Sequence, residues 1–216
     1  MARPTWIAFD LNGTLLDPAA LLGAQHAELG RQALDHAVMQ AMADTVTGHH
    51  RPFPDYLRAA LKRELQILGA DHGLLDAAMQ RAAALPAFVD AKSALKTLSR
   101  AGYQIAVVTN SGGPAASSAL NAADLGAFVD AVIGADEVGA YKPHPRVYAH
   151  AASELGVAPE QICLIAAHAW DVLGAQRAGW RAAWVAHREQ HLLSTVPEPT
   201  LRATSLEQAA DFLAAL

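Results

Sequence analysis

The chain has 216 residues, 52% of them hydrophobic, a formal net charge of -5 and one cysteine. That is ample material for a substantial core, in one domain or one domain carrying an insertion, and a lone thiol excludes a disulfide framework. Scattered lysines and arginines give no electrostatic footprint for nucleic acid, no run approaches the roughly 18 uninterrupted apolar residues of a membrane span, and MARPTWIAFD lacks a signal peptide's basic and long apolar regions, so a soluble cytoplasmic protein is expected.

The first predicted strand is TWIAFD (5–10), which runs into a turn, FDLNGTLLDP, presenting Asp10 and then Asn12, Gly13 and Thr14. From about Asp17 to Asp90 no convincing strand follows and the sequence reads as helix after helix. Leu57, Leu61, Leu65 and Leu68 form one apolar stripe there, which reads as core packing. Beyond it YQIAVVTN (103–110), DAVIGADE (130–137), QICLIAAH (161–168) and RAAWVAH (181–187) read as strands, with helices expected at 114–124, 145–155 and 171–178. Cys163, inside the fourth of these runs, reads as a buried structural thiol. The alternation implies an α/β protein: a Rossmann-like parallel sheet flanked by helices, built from 1–16 and 91–216, with 17–90 inserted as a helical cap. Ligands of such sheets bind at the carboxyl ends of the strands, where Asp10, Thr109, Asn110 and the segment from His168 to Asp171 fall.

Four elements at or near those ends carry chemistry. An Asp at a strand end followed by Gly13 and Thr14 can be a nucleophile whose loop amides and hydroxyl hold an anion. Thr109 and Asn110 offer a hydroxyl and an amide, although such a pair also serves as ordinary turn chemistry. Lys142 in AYKPHPRVY is followed closely by Pro143 and Pro145, so its backbone is stiffened while the ammonium can point inward. Asp171 in AAHAWDVLGA opens a predicted helix, where capping is the bland alternative.

Their order and spacing resemble the haloacid dehalogenase superfamily, with its nucleophilic Asp and following Gly-Thr, its Ser or Thr after the second strand, its Lys and its late acidic residue. More narrowly, Lys142 followed six residues later by Tyr148, and Ala169-Trp170-Asp171, resemble the type II L-2-haloacid dehalogenases. The resemblance implies hydrolysis of small (S)-2-haloacids to 2-hydroxy acids, without a cofactor, by a homodimeric enzyme. Asp10 would form an ester that water then opens, Lys142 would hold Asp10 ionised, and Asp171 would orient the water. Thr14, Thr109 and the loop at Leu11 and Asn12 would bind the substrate carboxylate, with Asn110, Tyr148, His168 and Trp170 around them.

Asn12 bears on the choice of reaction. Phosphatases of the superfamily carry a second Asp there, which protonates the leaving alkoxide; a halide leaves without a proton, so a neutral amide suits dehalogenation. The alternatives are a Mg²⁺-dependent phosphatase acting on a small phosphomonoester and a catalytically weak relative. Two positions depart from the branch pattern: His168 stands where Asn is common, and Ala166 where Ser is. In the cap, Arg31-Gln32 matches the branch's halide-binding dipeptide, but ungapped counting back from Phe53 lands on Leu34; His36, His49, His50 and Arg51 are the other candidates.

Overall fold

A computed structural model describes residues 3–70, 73–187 and 189–216. Six strands form one sheet: β1 (Trp6–Phe9), β2 (Gln104–Thr109), β3 (Ala131–Gly134), β4 (Ile162–Ala166), β5 (Arg181–Val185) and β6 (Leu201–Ala203). All neighbours are parallel, in the order β3-β2-β1-β4-β5-β6. The strands of the sheet centre are continuous apolar runs because both faces are covered: WIAF of β1 and ICLIA of β4 are buried throughout. The register sets Ala8 between Ala106 and Leu164, so the carboxyl ends of β1, β2 and β4 align.

The chain travels outward from β1 through β2 to β3 and then returns to the other side of β1 to begin β4. Strand order therefore reverses between β1 and β4, and the crevice at their carboxyl ends is where such sheets take ligands. Asp10 follows β1 and Ala167-His168 follow β4, on the two sides of that crevice.

The segment between β1 and β2 contains the helices α1 (Ala27–Val46), α2 (Phe53–Ile67), α3 (Leu74–Ala82) and α4 (Ala91–Arg100), with no strand among its described residues. It leaves and returns at one point: Leu16 bridges Ala87, the Asp17 amide donates to the Pro86 carbonyl, and the Phe88 amide to that of Leu15. The leucine stripe is only partly a core element. Leu57, Leu61 and Leu65 are buried, whereas Leu68 is exposed at the C-cap of α2, where the helix has ended at Ile67. The remaining helices are α5 (Gly113–Ala122), α6 (Pro145–Glu154), α7 (Ala169–Arg177) and α8 (Leu206–Ala214). α8 lies against α4, tied by the Leu206 amide on Asp90 and the Tyr103 hydroxyl on the Leu213 carbonyl. β6 and α8 complete the edge, and α7 begins two residues earlier than the sequence pattern suggested. Cys163 is buried, and burial pushes its thiol up to about 12. No helix among the described residues is long and apolar enough to cross a membrane.

Candidate active site

Lys142 is the centre of the crevice. Its side chain is fully buried, and the Nζ donates to Asp10 Oδ1 at 2.9 Å, Asp171 Oδ2 at 2.5 Å and the Val108 carbonyl at 2.8 Å. Three acceptors match the three protons of an ammonium. Burial alone would lower the Lys142 pKa, but the charges of Asp10 and Asp171 outweigh it and raise it, so the cation persists. The backbone is held as well: Asn110 Oδ1 accepts from the Lys142 amide at 2.8 Å.

Asp10 is almost fully enclosed, with Lys142 on one oxygen and, on the other, the Thr14 hydroxyl at 3.0 Å and His168 Nδ1 at 3.1 Å. Burial raises its pKa, yet the Lys142 charge and then the contacts with His168 hold the carboxyl well below the usual carboxylate range. Thr14 accepts in turn from the Ala167 amide, so it ties the β1 loop to the β4 loop through Asp10. The amides of Gly13 to Leu16 close their own turn on the carbonyls of Leu11 and Leu16. They position Asp10 instead of facing an anion.

Asp171 lies in the first turn of α7 but caps nothing: Oδ2 takes Lys142, and Oδ1 takes the Tyr148 hydroxyl at 2.6 Å. Burial lifts this carboxyl and Asp10 lifts it further, against the pull of Lys142, so Asp10 is the carboxylate kept most firmly ionised. Gly174 packs against Tyr148; a Cβ there would stand 2.4 Å from the hydroxyl. Gly13, at φ +89, is needed for both backbone and space, because its Cβ would meet the His168 ring at 2.6 Å.

A cavity of about 750 Å³ opens over this cluster. Gly13, Ala167, His168 and Trp170 form its floor; Arg31, Leu34, Asp35, His36, Val38, Met39 and Met42 of α1 form the opposite wall, with Phe88, His187 and Glu189 at the side. Among the predicted site residues, Asp10, Thr14, Asn110, Lys142, Tyr148 and Asp171 come together beneath the floor. Thr109 sits beside them with its hydroxyl accepting from the Ser111 amide, the turn chemistry its position also allowed. Asn12 Nδ2 donates to Ser111 Oγ at 3.1 Å, and the Leu11 side chain is buried. Arg31 is on the cavity wall, 3.7 Å from Asp17 and 3.6 Å from Glu28. His36 shares that wall but is bound to Glu64 at 2.9 Å. His50 stacks on Tyr141 and Arg51 pairs with Asp44, and neither lines the cavity; nor does His49, whose ring bonds the Thr47 carbonyl.

Sequence reasoning missed Phe88, His187 and Glu189. His187 had a usable signal, since it ends the RAAWVAH run at the same carboxyl-end side of the sheet. Glu189 had none: its Oε2 accepts from the Ala169 amide at the start of α7, a contact across a loop.

The sequence model of the haloacid dehalogenase-like hydrolases matches residues 4–179. This chain belongs to that family. Among its family relatives, (S)-2-haloacid dehalogenase 4A of Burkholderia cepacia is 32% identical over 181 residues, covering 80% of this chain and 78% of the relative. (S)-2-haloacid dehalogenase 1 of Pseudomonas sp. (strain CBS-3) is 31% identical, covering 80% of each. A dehalogenase crystal structure superposes with a TM-score of 0.92 at 27% identity, covering 99% of both chains. The α/β fold of this hydrolase family is thus the fold of the present chain.

Proposed function

We propose that the protein hydrolyses small (S)-2-haloacids to 2-hydroxy acids through an ester on Asp10. The observation that carries this reading is the charge arrangement: a strongly ionised Asp10 held by a buried Lys142, with a neutral amide at Asn12 engaged by Ser111. A carboxylate kept ionised in a near-dry site is a nucleophile, and carbon–halogen cleavage needs no proton for its leaving group. The phosphatase alternative lacks a proton donor at position 12, and the named relatives are dehalogenases.

In this reading Asp10 attacks the halogen-bearing carbon from behind and inverts it, and water then opens the ester at the Asp10 carboxyl carbon. Lys142 keeps Asp10 charged and aimed; Asp171, fixed by Tyr148, keeps Lys142 in place; Thr14 holds the second Asp10 oxygen. Leu11, Asn12, Thr109 and Asn110, from the loops after β1 and β2, would border the substrate carboxylate, with Trp170 lining the cavity beside them. Arg31 receives the halide from the cap, supported by its position on the cavity wall. Residues 17–90 act as that cap, a reading supported by the single crossing point at Leu16 and Ala87. Family resemblance further supports a cytoplasmic homodimer.

The test is a parallel assay of chloroacetate, L-2-chloropropionate and p-nitrophenyl phosphate, each with EDTA and with Mg²⁺. Halide release from L-2-chloropropionate that survives EDTA is expected. Mg²⁺-dependent phosphate release without halide release would overturn the reading.

A further inference from the structure

His168 is the titratable side chain that, among the described residues, both lines the cavity and touches Asp10. Its ring is held between two surfaces: it stacks on Trp170 at 5.1 Å between centroids and 25° between planes, and it lies against Gly13 with no room for a Cβ. That fixes Nδ1 on Asp10 Oδ2 with the side chain 13% exposed. The other acid–base candidates are placed differently. Asp171 is fully buried beneath the floor, with Lys142 and Tyr148 on its two oxygens. His36 is bound to Glu64, and His187 has its Nε2 directed to Asp90 at 3.9 Å.

We propose that His168 is the general base of the second half-reaction: once Asp10 is esterified, His168 takes a proton from the water that adds to the Asp10 carboxyl carbon. This rests on the dehalogenase reading above and names a residue for its hydrolytic step.

The electrostatics of the free site make the role conditional on the ester. Burial works to lower the His168 pKa, but the hydrogen bond and charge of Asp10, followed by the charges of Asp171 and Asp35, lift it above its ordinary value. The contact with Asp10 in the resting site therefore favours the imidazolium over the neutral ring. Esterification removes the Asp10 charge, the largest opposing influence, while burial stays. Of the other groups facing the ring, Asp171 is offset by Lys142 at 2.5 Å, Asp35 of α1 remains, and burial pushes the His187 pKa down, against the charges of Asp90 and Asp17. Alkylation thus favours release of the His168 proton at the stage when a base is needed.

The steps balance. In the first, an Asp10 oxygen bonds the α-carbon, the halide departs with the carbon–halogen electron pair, and the His168 proton passes to solvent. In the second, water adds to the carboxyl carbon and gives a proton to His168. The bond from that carbon to the alkoxy oxygen then breaks, the alkoxy oxygen takes the proton from His168, and the 2-hydroxy acid leaves. The Asp10 carboxylic acid returns its proton to His168, restoring the ion pair. One proton and one halide are released per turnover.

The experiment is single-turnover quench with L-2-chloropropionate, on wild type and on His168→Asn, which keeps a donor near Asp10 but has no base. Chloride release and the protein-bound ester, by intact mass, are followed from pH 5 to 9. The variant should release about one chloride per site and accumulate ester, its breakdown slowed on the order of 10²–10⁴-fold. Wild-type ester breakdown should rise with pH through one ionisation, and the variant should lose that rise. Ester breakdown by the variant at the wild-type rate, or loss of its chloride release, overturns the assignment. So does a flat or falling wild-type profile, which needs no variant to fold. Wild type that releases no chloride overturns the dehalogenase reading itself, and is distinguishable from all of these.

Discussion

Lys142→Met removes the buried ammonium while keeping most of the stem volume, and it strips one partner from two carboxylates at once. The lost contacts are those to Asp10 at 2.9 Å, Asp171 at 2.5 Å and the Val108 carbonyl at 2.8 Å, all with the side chain fully buried. Breaking a buried ion pair by removing one partner costs about 3–5 kcal/mol. For a chain of 216 residues each kcal/mol moves the melting temperature by roughly 2–4 °C, so a fall of roughly 6–20 °C is expected at pH 8. The pH dependence has a definite sign. In wild type the depressed Asp10 pKa contributes stability that is present above its unfolded value of about 3.9 and is lost as pH falls below it. In the variant the orphaned carboxyls titrate above their unfolded values, because burial and mutual repulsion oppose charge, so they are stabilising only when protonated. The difference between the two proteins should therefore grow from pH 4.5 to pH 8. Thermal melts across that range provide the measurement, with kcat expected to fall about 10³-fold alongside. A variant that melts within about 2 °C of wild type at pH 8, with the same gap at pH 4.5, would show that the buried cation does not hold the carboxylates.

Gly13→Ala should lower both stability and turnover, because its Cβ meets the His168 ring at 2.6 Å and its φ of +89 strains any side chain by about 1–2 kcal/mol; unchanged melting and kcat would contradict the packing described. Cys163, buried with its thiol pushed up to about 12, should resist iodoacetamide at pH 8 until the protein is denatured, and stoichiometric labelling of the folded protein would refute that. Asn12→Asp keeps a partner for the Ser111 hydroxyl but adds a negative charge beside a site that must admit a carboxylate, opposing substrate by up to about 4 kcal/mol at 4 Å and an effective dielectric near 20. Haloacid turnover should fall, and more at pH 8 than at pH 5, since protonation relieves the repulsion; equal turnover at both pH values would remove charge exclusion as the role of the amide.

The sheet was legible because β1, β2 and β4 are buried on both faces, which forces uninterrupted apolar runs ending in polar residues. β6 was not, since LRA is three residues long at an edge with only Ala203 buried. Lys142, Asp10 and Asp171 could be singled out by residue type at the strand ends, but their division of labour depended on distances. Asp171 and Thr109 each had a plausible local role, and only tertiary contacts decided between them: Asp171 abandons capping for Lys142 and Tyr148, whereas Thr109 keeps its bond to the Ser111 amide. The apolar part of the α1 wall, Val38, Met39 and Met42, was missed because apolar residues at helical spacing cannot separate a core face from a ligand face. Arg31 was found by its neighbour Gln32, while its position opposite the floor followed from the path of α1.

The central claim is that Asp10 becomes covalently bonded to substrate, and the origin of the product oxygen tests it most directly. Excess protein is reacted with L-2-chloropropionate in ¹⁸O water for a single turnover, and the lactate and the peptide containing Asp10 are then weighed by mass spectrometry. Attack by Asp10 followed by hydrolysis at its carboxyl carbon predicts unlabelled lactate and ¹⁸O in the Asp10 carboxylate. Label in the lactate during that first turnover would mean that water attacked the carbon directly, and Asp10 would be a base instead of a nucleophile.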